Sequence, residues 1–365
     1  MSLEDFLSKK PLAFKEIDLS RMPRAFESVK KFYKIPKIVH VLGTNGKGST
    51  GRLIASAITK NGCDVGHYTS PHILELNERF WKNGMNISDE VLENAHSDLI
   101  AKLPKEIAES VSYFEYTTLL TLPLYQNCDF LVLEAGLGGE FDATAVFPKE
   151  ISVFTPIDFD HTDFLGNTIE EIARTKLNAM SSETVLAPQK NSEVVEIAKE
   201  ISENRNSKLH ILTERETNYL RENLLTAKKV LQILNIWMEF ELDDLEIPNG
   251  RFQQFSENII LDVGHNPLSA ERVSQNLKWD DFTLIYNSFA DKNFSRILEI
   301  FRKKTDKAEI LNFYDERVVE KAILKNRLSE LNYSFKDFKS IEQKKRYLVF
   351  GSFRVVEEFL KLQNR

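Results

Sequence analysis

Ile38-Val39-His40-Val41-Leu42-Gly43-Thr44-Asn45-Gly46-Lys47-Gly48-Ser49 is the stretch that decides the fold. Ile38–Leu42 reads as a buried strand. A glycine-rich turn follows, and from Ser49 to Lys60 the chain reads as a helix that Asn61-Gly62 stops. Strand, glycine turn and helix in that order form a phosphate cradle. Glycines let backbone N–H groups point inward at phosphate oxygens, and the helix N-terminus adds partial positive charge. Lys47 is placed to reach β- and γ-phosphates, and the Ser49 hydroxyl to join a Mg²⁺ shell. The spacing departs from G-x-x-x-x-G-K-[ST]: two residues separate Gly43 from Gly46, and Gly48 stands between Lys47 and Ser49. A plain glycine-rich turn is the alternative, and Thr44 and Asn45 would suit it. The expected ligand is a nucleoside triphosphate, ATP foremost.

Outward from this stretch the alternation repeats. Strands are expected at Val65–Thr69, Phe130–Leu133, Ile151–Phe154, Ile259–Val263, Phe282–Tyr286, Ile310–Phe313 and Tyr347–Phe350. Helices are expected at Ser88–Leu103, at Phe114–Gln126 despite Pro123, at Tyr219–Ile236 and at Val355–Leu362. A capping box, Thr168-Ile169-Glu170-Glu171, should open another through Met180. Strands alternating with helices imply an α/β fold with mostly parallel sheets, because parallel neighbours need crossovers. The acidic run Asp243-Asp244-Leu245-Glu246-Ile247-Pro248-Asn249-Gly250 ends in turn formers and marks a boundary. Residues 1–247 are read as a P-loop NTPase-like, ATP-binding domain and 248–365 as a smaller, Rossmann-like α/β domain.

The bulk properties narrow the function. The chain has 365 residues, long for one core. Its net charge of −7 argues against a nucleic-acid binder, since phosphate backbones are held by excess Lys and Arg. Cys63 and Cys128 make neither a disulfide framework nor a metal-ligand set. Met1–Phe6 has no signal-peptide pattern, and no run of about 18 apolar residues suggests a membrane span. A cytoplasmic monomer is expected, with small-molecule partners and no nucleic acid or membrane.

Functional groups of open α/β sheets gather beyond the carboxyl ends of strands. Glu134 leaves a buried strand into Ala135-Gly136-Leu137-Gly138-Gly139, which suits a Mg²⁺ ligand; a salt-bridged or helix-capping Glu is the alternative. His161 sits in Asp158-Phe159-Asp160-His161-Thr162-Asp163, where clustered acids favour function. Ser70, before Pro71-His72, would alone be a turn serine. A hydroxyl, a carboxylate and an imidazole can hold Mg²⁺ loosely, with water and phosphate completing the shell. In the second domain Asp262 could take a ribose hydroxyl and His265 face the phosphates, although a strand-end Asp often caps the next helix.

Together these residues resemble the folylpolyglutamate synthase/dihydrofolate synthase family of the Mur ligase superfamily. The matches run in order: Gly43–Ser49; Ser70-Pro71-His72 with Asn77-Glu78-Arg79; Phe114-Glu115 with Thr118; Glu134–Gly139 with Asp142-Ala143-Thr144; Asp160-His161-Thr162; Gly250-Arg251-Phe252-Gln253; Asp262-Val263-Gly264-His265-Asn266-Pro267; Asp291-Lys292; and Gly351-Ser352. The ordered set spans nearly the whole chain. The resemblance implies an ATP-dependent amide ligase that joins L-glutamate to a dihydropteroate or reduced folate carboxylate. It implies Mg²⁺ on Ser70, Glu134 and His161, and ATP on Thr44, Asn45, Gly46, Lys47, Gly48, Ser49, Asn223, Arg251, Asp262 and His265. Tyr113, Phe114, Glu115, Phe141, Asp142 and Ala143 match pterin-binding segments. Lys47, Lys176 and His265 are the residues expected at the chemistry, and Lys176 matches a lysine that the family carries as a carbamate.

The sequence also departs from the family. Thr175 precedes Lys176 where a Glu is usual, Ala145 follows Thr144 where Asn is expected, and Tyr219-Leu220 replaces His-Gln before Asn223. The stretch between Lys208 and Tyr219 is short. The expected chemistry is attack of the substrate carboxylate on the ATP γ-phosphate, then attack of the glutamate amine on the acyl phosphate, with the second domain closing to exclude water. The rivals are a ligase of the same superfamily acting on a nucleotide-linked peptide, a P-loop regulatory ATPase, and a folate-binding module without catalysis.

Overall fold

A computed structural model describes residues 1–11, 18–236 and 239–363. The chain forms two compact units. The first comprises Met1–Asp158, Leu165–Glu214 and Glu222–Glu246. The second comprises Phe159–Phe164, Arg215–Arg221 and Ile247–Arg365.

The first unit is built on eight strands: β1 (Lys37–Leu42), β2 (Val65–Tyr68), β3 (Phe80–Lys82), β4 (Met85–Asn86), β5 (Phe130–Glu134), β6 (Ile151–Phe154), β7 (Glu183–Leu186) and β8 (Lys208–Ile211). Their order is β4-β3-β2-β5-β1-β6-β7-β8, parallel except for the antiparallel β3 and β4. β1 is central, and residues 38–42 are fully buried, which their near-continuous apolar run requires. The exception is His40, whose Nε2 lies 2.7 Å from Thr144 Oγ1. Burial holds this imidazole well below its usual pKa, so it sits in the sheet uncharged.

The helix Lys47–Lys60 packs close to the sheet because its inner face is small. A Cβ added at Gly51 would lie 2.7 Å from His67 Nε2. The helix starts at Lys47 and not at Ser49, because Gly46 adopts a left-handed conformation (φ +86°) as its N-cap. The expected helix over Phe114–Gln126 is two, Tyr113–Leu119 and Thr121–Tyr125, with Leu120 between them. Pro123 has no N–H to carry one helical ladder through. The Thr168 capping box is present: its Oγ accepts from Glu171 N at 3.2 Å, and Glu171 Oε2 accepts from Thr168 N at 3.1 Å.

The second unit carries β9 (Gln253–Ser256), β10 (Ile259–Asp262), β11 (Thr283–Tyr286), β12 (Lys307–Ile310), β13 (Ser334–Asp337) and β14 (Tyr347–Phe350), ordered β13-β12-β11-β14-β10-β9. All pairs are parallel except β9 with β10. Phe282, Leu284, Ile297, Phe301 and Phe350 lie in its core. The strand expected at Ile310–Phe313 is Lys307–Ile310. The apolar residues that suggested it, Leu311 and Phe313, lie past the strand end, and Leu311 N bonds Tyr286 O at 3.1 Å. Both sheets are α/β and mostly parallel, as the alternation predicts.

Candidate active site

The phosphate loop is pinned from the side of β6. Thr44 N and Asn45 N donate to Pro156 O at 2.9 and 3.3 Å, and Thr44 Oγ1 donates to Asp158 O at 3.0 Å. Gly43 (φ +138°) passes so close to Thr155 that a Cβ there would meet backbone at 2.9 Å. Gly43→Ala is therefore expected to lower stability by about 2–4 kcal/mol, read by denaturant melts, because strain and overpacking act at one atom. Lys47 Nζ rests on Gly43 O at 3.2 Å and Thr44 O at 3.3 Å. Gly48 and Ser49 are buried in the first turn of the helix.

Asn223 lies against this loop, its Oδ1 within 2.9 Å of where a Gly46 Cβ would be. Its Nδ2 is buried without a hydrogen-bond partner. A buried amide donor left unmade is costly unless a ligand completes it. Together with the inward-facing loop, this orphan fits a nucleotide. Lys176 is no solvated helix lysine: it is 4% exposed and its Nζ donates to Gly43 O at 3.2 Å.

Strand register brings Glu134 and Ser70 together. Val41 pairs with Glu134 and Tyr68 with Leu133, so the residues after β2 and the last of β5 leave the sheet at one edge, beside the phosphate loop. Thr69 Oγ1 and Ser70 N (3.2 Å) both donate to Glu134 Oε2. Oε1 is left without a protein donor among the described residues. A hard oxygen held from behind in this way fits Mg²⁺. Thr69 was not singled out in the sequence, because its role exists only across the β2–β5 pair.

The pterin-matching residues lie at the same edge of the first unit. Ser112 caps the helix that begins at Tyr113, and the Arg79 guanidinium lies 5.1 Å from the Tyr113 ring centroid. The Phe114 ring packs on Gly136, where a Cβ would meet it at 2.6 Å. Glu115 accepts from Arg21 Nε at 2.8 Å and Ser112 N at 2.7 Å. Asp142 is buried and accepts from Leu137 N at 2.8 Å and Thr144 N at 2.9 Å. Burial pushes its carboxyl up against the pull of these donors. Both carboxylates thus hold their loops, and the exposed group beside them is Phe141, at 61%. Ala143 is buried.

His161, Arg251, Asp262 and His265 belong to the second unit. His161 has φ +52° and is 41% exposed. Asp160 beside it is the hub of a cluster. It takes Lys292 Nζ at 2.7 Å, His265 Nε2 at 3.2 Å and Asn266 Nδ2 at 3.1 Å. Burial alone would raise its carboxyl, but His265, His161 and Lys292 outweigh it and hold the group well below the usual carboxylate range. Asp160, His161 and His265 offer ligand atoms within 4.8 Å of one another. A divalent cation among these three would meet the Lys292 ammonium, so their closeness reads better as an ion-paired hub. Asp262 ends β10 with its carboxylate held by Tyr219, Phe252 and Gly264, and Arg251 stacks on Phe353 at 4.9 Å.

The sequence model of the Mur ligase middle domain matches residues 41–248. A dihydrofolate synthase/folylpolyglutamate synthase of Buchnera aphidicola subsp. Schizaphis graminum is 30% identical over 374 residues, covering 88% of this chain and 87% of that protein. The chain belongs to this family. The enzyme of the same description from Haemophilus influenzae is 41% identical over 167 residues, which is 45% of this chain and 37% of that one. The crystal structure of Helicobacter pylori folylpolyglutamate synthetase superposes with a TM-score of 0.82 at 39% identity, covering 100% of this chain and 98% of that one. The bifunctional family member from Yersinia pestis, complexed with AMPPNP and Mn ion, superposes with a TM-score of 0.86 at 25% identity over 100% and 98% of the two chains.

Proposed function

We propose that this chain is an ATP-dependent amide ligase that joins L-glutamate to the carboxylate of dihydropteroate, of a reduced folate, or of both. The observation that carries the reading is the convergence on one sheet edge of a pinned phosphate loop, a carboxylate with one free oxygen (Glu134) and a buried lysine (Lys176). A regulatory ATPase would need the loop but not the pterin-type segments beside it.

A carboxylate is a poor electrophile, so it must be activated. Its oxygen attacks the γ-phosphorus of ATP, the bond to ADP breaks, and an acyl phosphate forms. The glutamate amine then attacks the acyl carbon, phosphate leaves with the electron pair, and the amine gives up a proton. For the first step the chain mainly positions and neutralises. The backbone from Thr44 to Ser49 cradles the phosphates, and Lys47 swings from the loop carbonyls to the γ-phosphate. Asn223 uses its unpaired amide on the nucleotide, while Arg251, Asp262 and His265 serve it from the second unit. Ser70, Glu134 and His161 would hold Mg²⁺, which supplies charge neutralisation at the transferred phosphoryl group. Tyr113, Phe114, Glu115, Phe141, Asp142 and Ala143 shape the pterin site. We assign ATP and folate binding to residues 1–247 and the closing ligase domain to 248–365, in a cytoplasmic monomer. No helix among the described residues is long and apolar enough to cross a membrane.

The test is ATP-dependent incorporation of labelled glutamate with dihydropteroate or tetrahydrofolate as acceptor. Product with at least one acceptor is expected; ATP hydrolysis that ignores both would sink the reading. Lys176 is proposed to carry a carbamate, which would turn a buried cation beside Gly43 O into an anion. Native mass measurement at high bicarbonate is expected to show a gain of one CO₂ that Lys176→Ala lacks. Full activity in Lys176→Ala would remove this lysine from the mechanism.

A further inference from the structure

Asp262 is held by three donors, all within the second unit. Tyr219 Oη donates to Oδ2 at 3.0 Å, Phe252 N donates to the same oxygen at 2.9 Å, and Gly264 N donates to Oδ1 at 2.8 Å. A carboxylate has about four acceptor sites, so one remains, and it lies on Oδ1. Asp262 stands at the carboxyl end of β10, opposite Phe350 of β14, where open sheets of this kind take their ligands.

The surroundings are built to keep that geometry. Phe252 holds φ +47°, a left-handed conformation that a bulky residue adopts only when its neighbours enforce it. Its N–H bond to Asp262 is one such restraint. The Tyr219 ring, edge-on to Phe252 with centroids 6.4 Å apart, is another. Tyr219 therefore touches the carboxylate through its hydroxyl and the strained backbone through its ring.

We propose that Tyr219 is a positioning residue for the nucleotide, its hydroxyl fixing Asp262 so that the remaining Oδ1 site accepts a ribose hydroxyl of ATP. The inference rests on the ligase reading above and goes beyond it. The wild-type ligase should prefer ATP over 2′-deoxyATP or 3′-deoxyATP by roughly tenfold or more, since a hydrogen bond to a charged acceptor is lost with the hydroxyl.

In Tyr219→Phe, KM for ATP should rise severalfold and the preference over that deoxynucleotide should shrink toward one. The turnover number and KM for glutamate should stay near wild type. Asp262→Asn should also erode the preference. Adding Tyr219→Phe to Asp262→Asn should then change little, because the tyrosine acts through the carboxylate. A purely structural tyrosine would instead add its full effect in the double variant and lower the turnover number. That result, or an unchanged ATP preference in Tyr219→Phe, overturns the inference. A wild type that ligates glutamate but treats ATP and both deoxynucleotides alike overturns it too, and leaves the ligase reading standing. A wild type that ligates no glutamate removes both. The wild-type nucleotide comparison decides the ribose contact even if Tyr219→Phe folds poorly.

Discussion

Glu134→Ala is expected to abolish glutamate ligation, with a fall in turnover of at least about 10²-fold, while the chain stays folded. The expectation follows from where the carboxylate sits. Its position is set by the β1–β5 register, Val41 beside Glu134, so it emerges next to the phosphate loop. Thr69 Oγ1 and Ser70 N both hold Oε2, and no donor among the described residues occupies Oε1, which leaves it to a cation. The substitution removes that oxygen and leaves two donors unpaired, a penalty of about 1–3 kcal/mol each when buried. One compensation works the other way, because a carboxylate only 2% exposed no longer has to be desolvated. The melting temperature should therefore move by a few degrees while activity is lost. Near-normal turnover in labelled-glutamate assays would remove Glu134 from the metal site.

Lys47→Ala is expected to reduce turnover by about 10²–10³-fold and to weaken ATP binding. In the structure the Lys47 ammonium rests on two loop carbonyls, Gly43 O and Thr44 O, at 3.2 and 3.3 Å. These are neutral acceptors at the cradle itself, and a phosphate oxygen offers the ammonium a full negative charge. Lys47→Arg should not restore the rate, since a planar guanidinium cannot replace a compact ammonium on a short loop. Stability should change little, because these two contacts are local to the loop. ATP-dependent ligation by Lys47→Ala at more than about a tenth of the wild-type rate would mean that the phosphates are neutralised elsewhere.

Much of the fold was legible because its signals are local. Tyr347–Phe350 and Ile151–Phe154 are apolar runs buried on both faces, and they form strands with those limits. The Thr168 box opens its helix because both of its bonds span three residues. The strands that escaped notice are β3, β4, β7, β8, β9 and β13, all of two to four residues and too short to show a period. β13, Ser334–Asp337, has no buried residue, and β9 is an exposed antiparallel edge. β12 was misplaced because Glu309, 3% exposed, lies inside the strand while Leu311 and Phe313 lie beyond it. A buried glutamate breaks the pattern from which strands are read.

The site divides in the same way. Gly43–Ser49 could be read as a phosphate cradle from sequence alone, since strand, turn and helix follow one another directly. The sequence also determined the parallel α/β class, through its repeated alternation. Only the tertiary structure decided what surrounds the cradle. Thr69 reaches Glu134 across 65 residues, Tyr219 reaches Asp262 across 43, and Lys176 reaches Gly43 across 133. Strand register makes the first meeting and the seating of helices on the sheets makes the other two, and both depend on how distant segments share a core. The same dependence buries Lys176 against the phosphate loop and makes Asp160, a loop acid, the hub for His265 and Lys292.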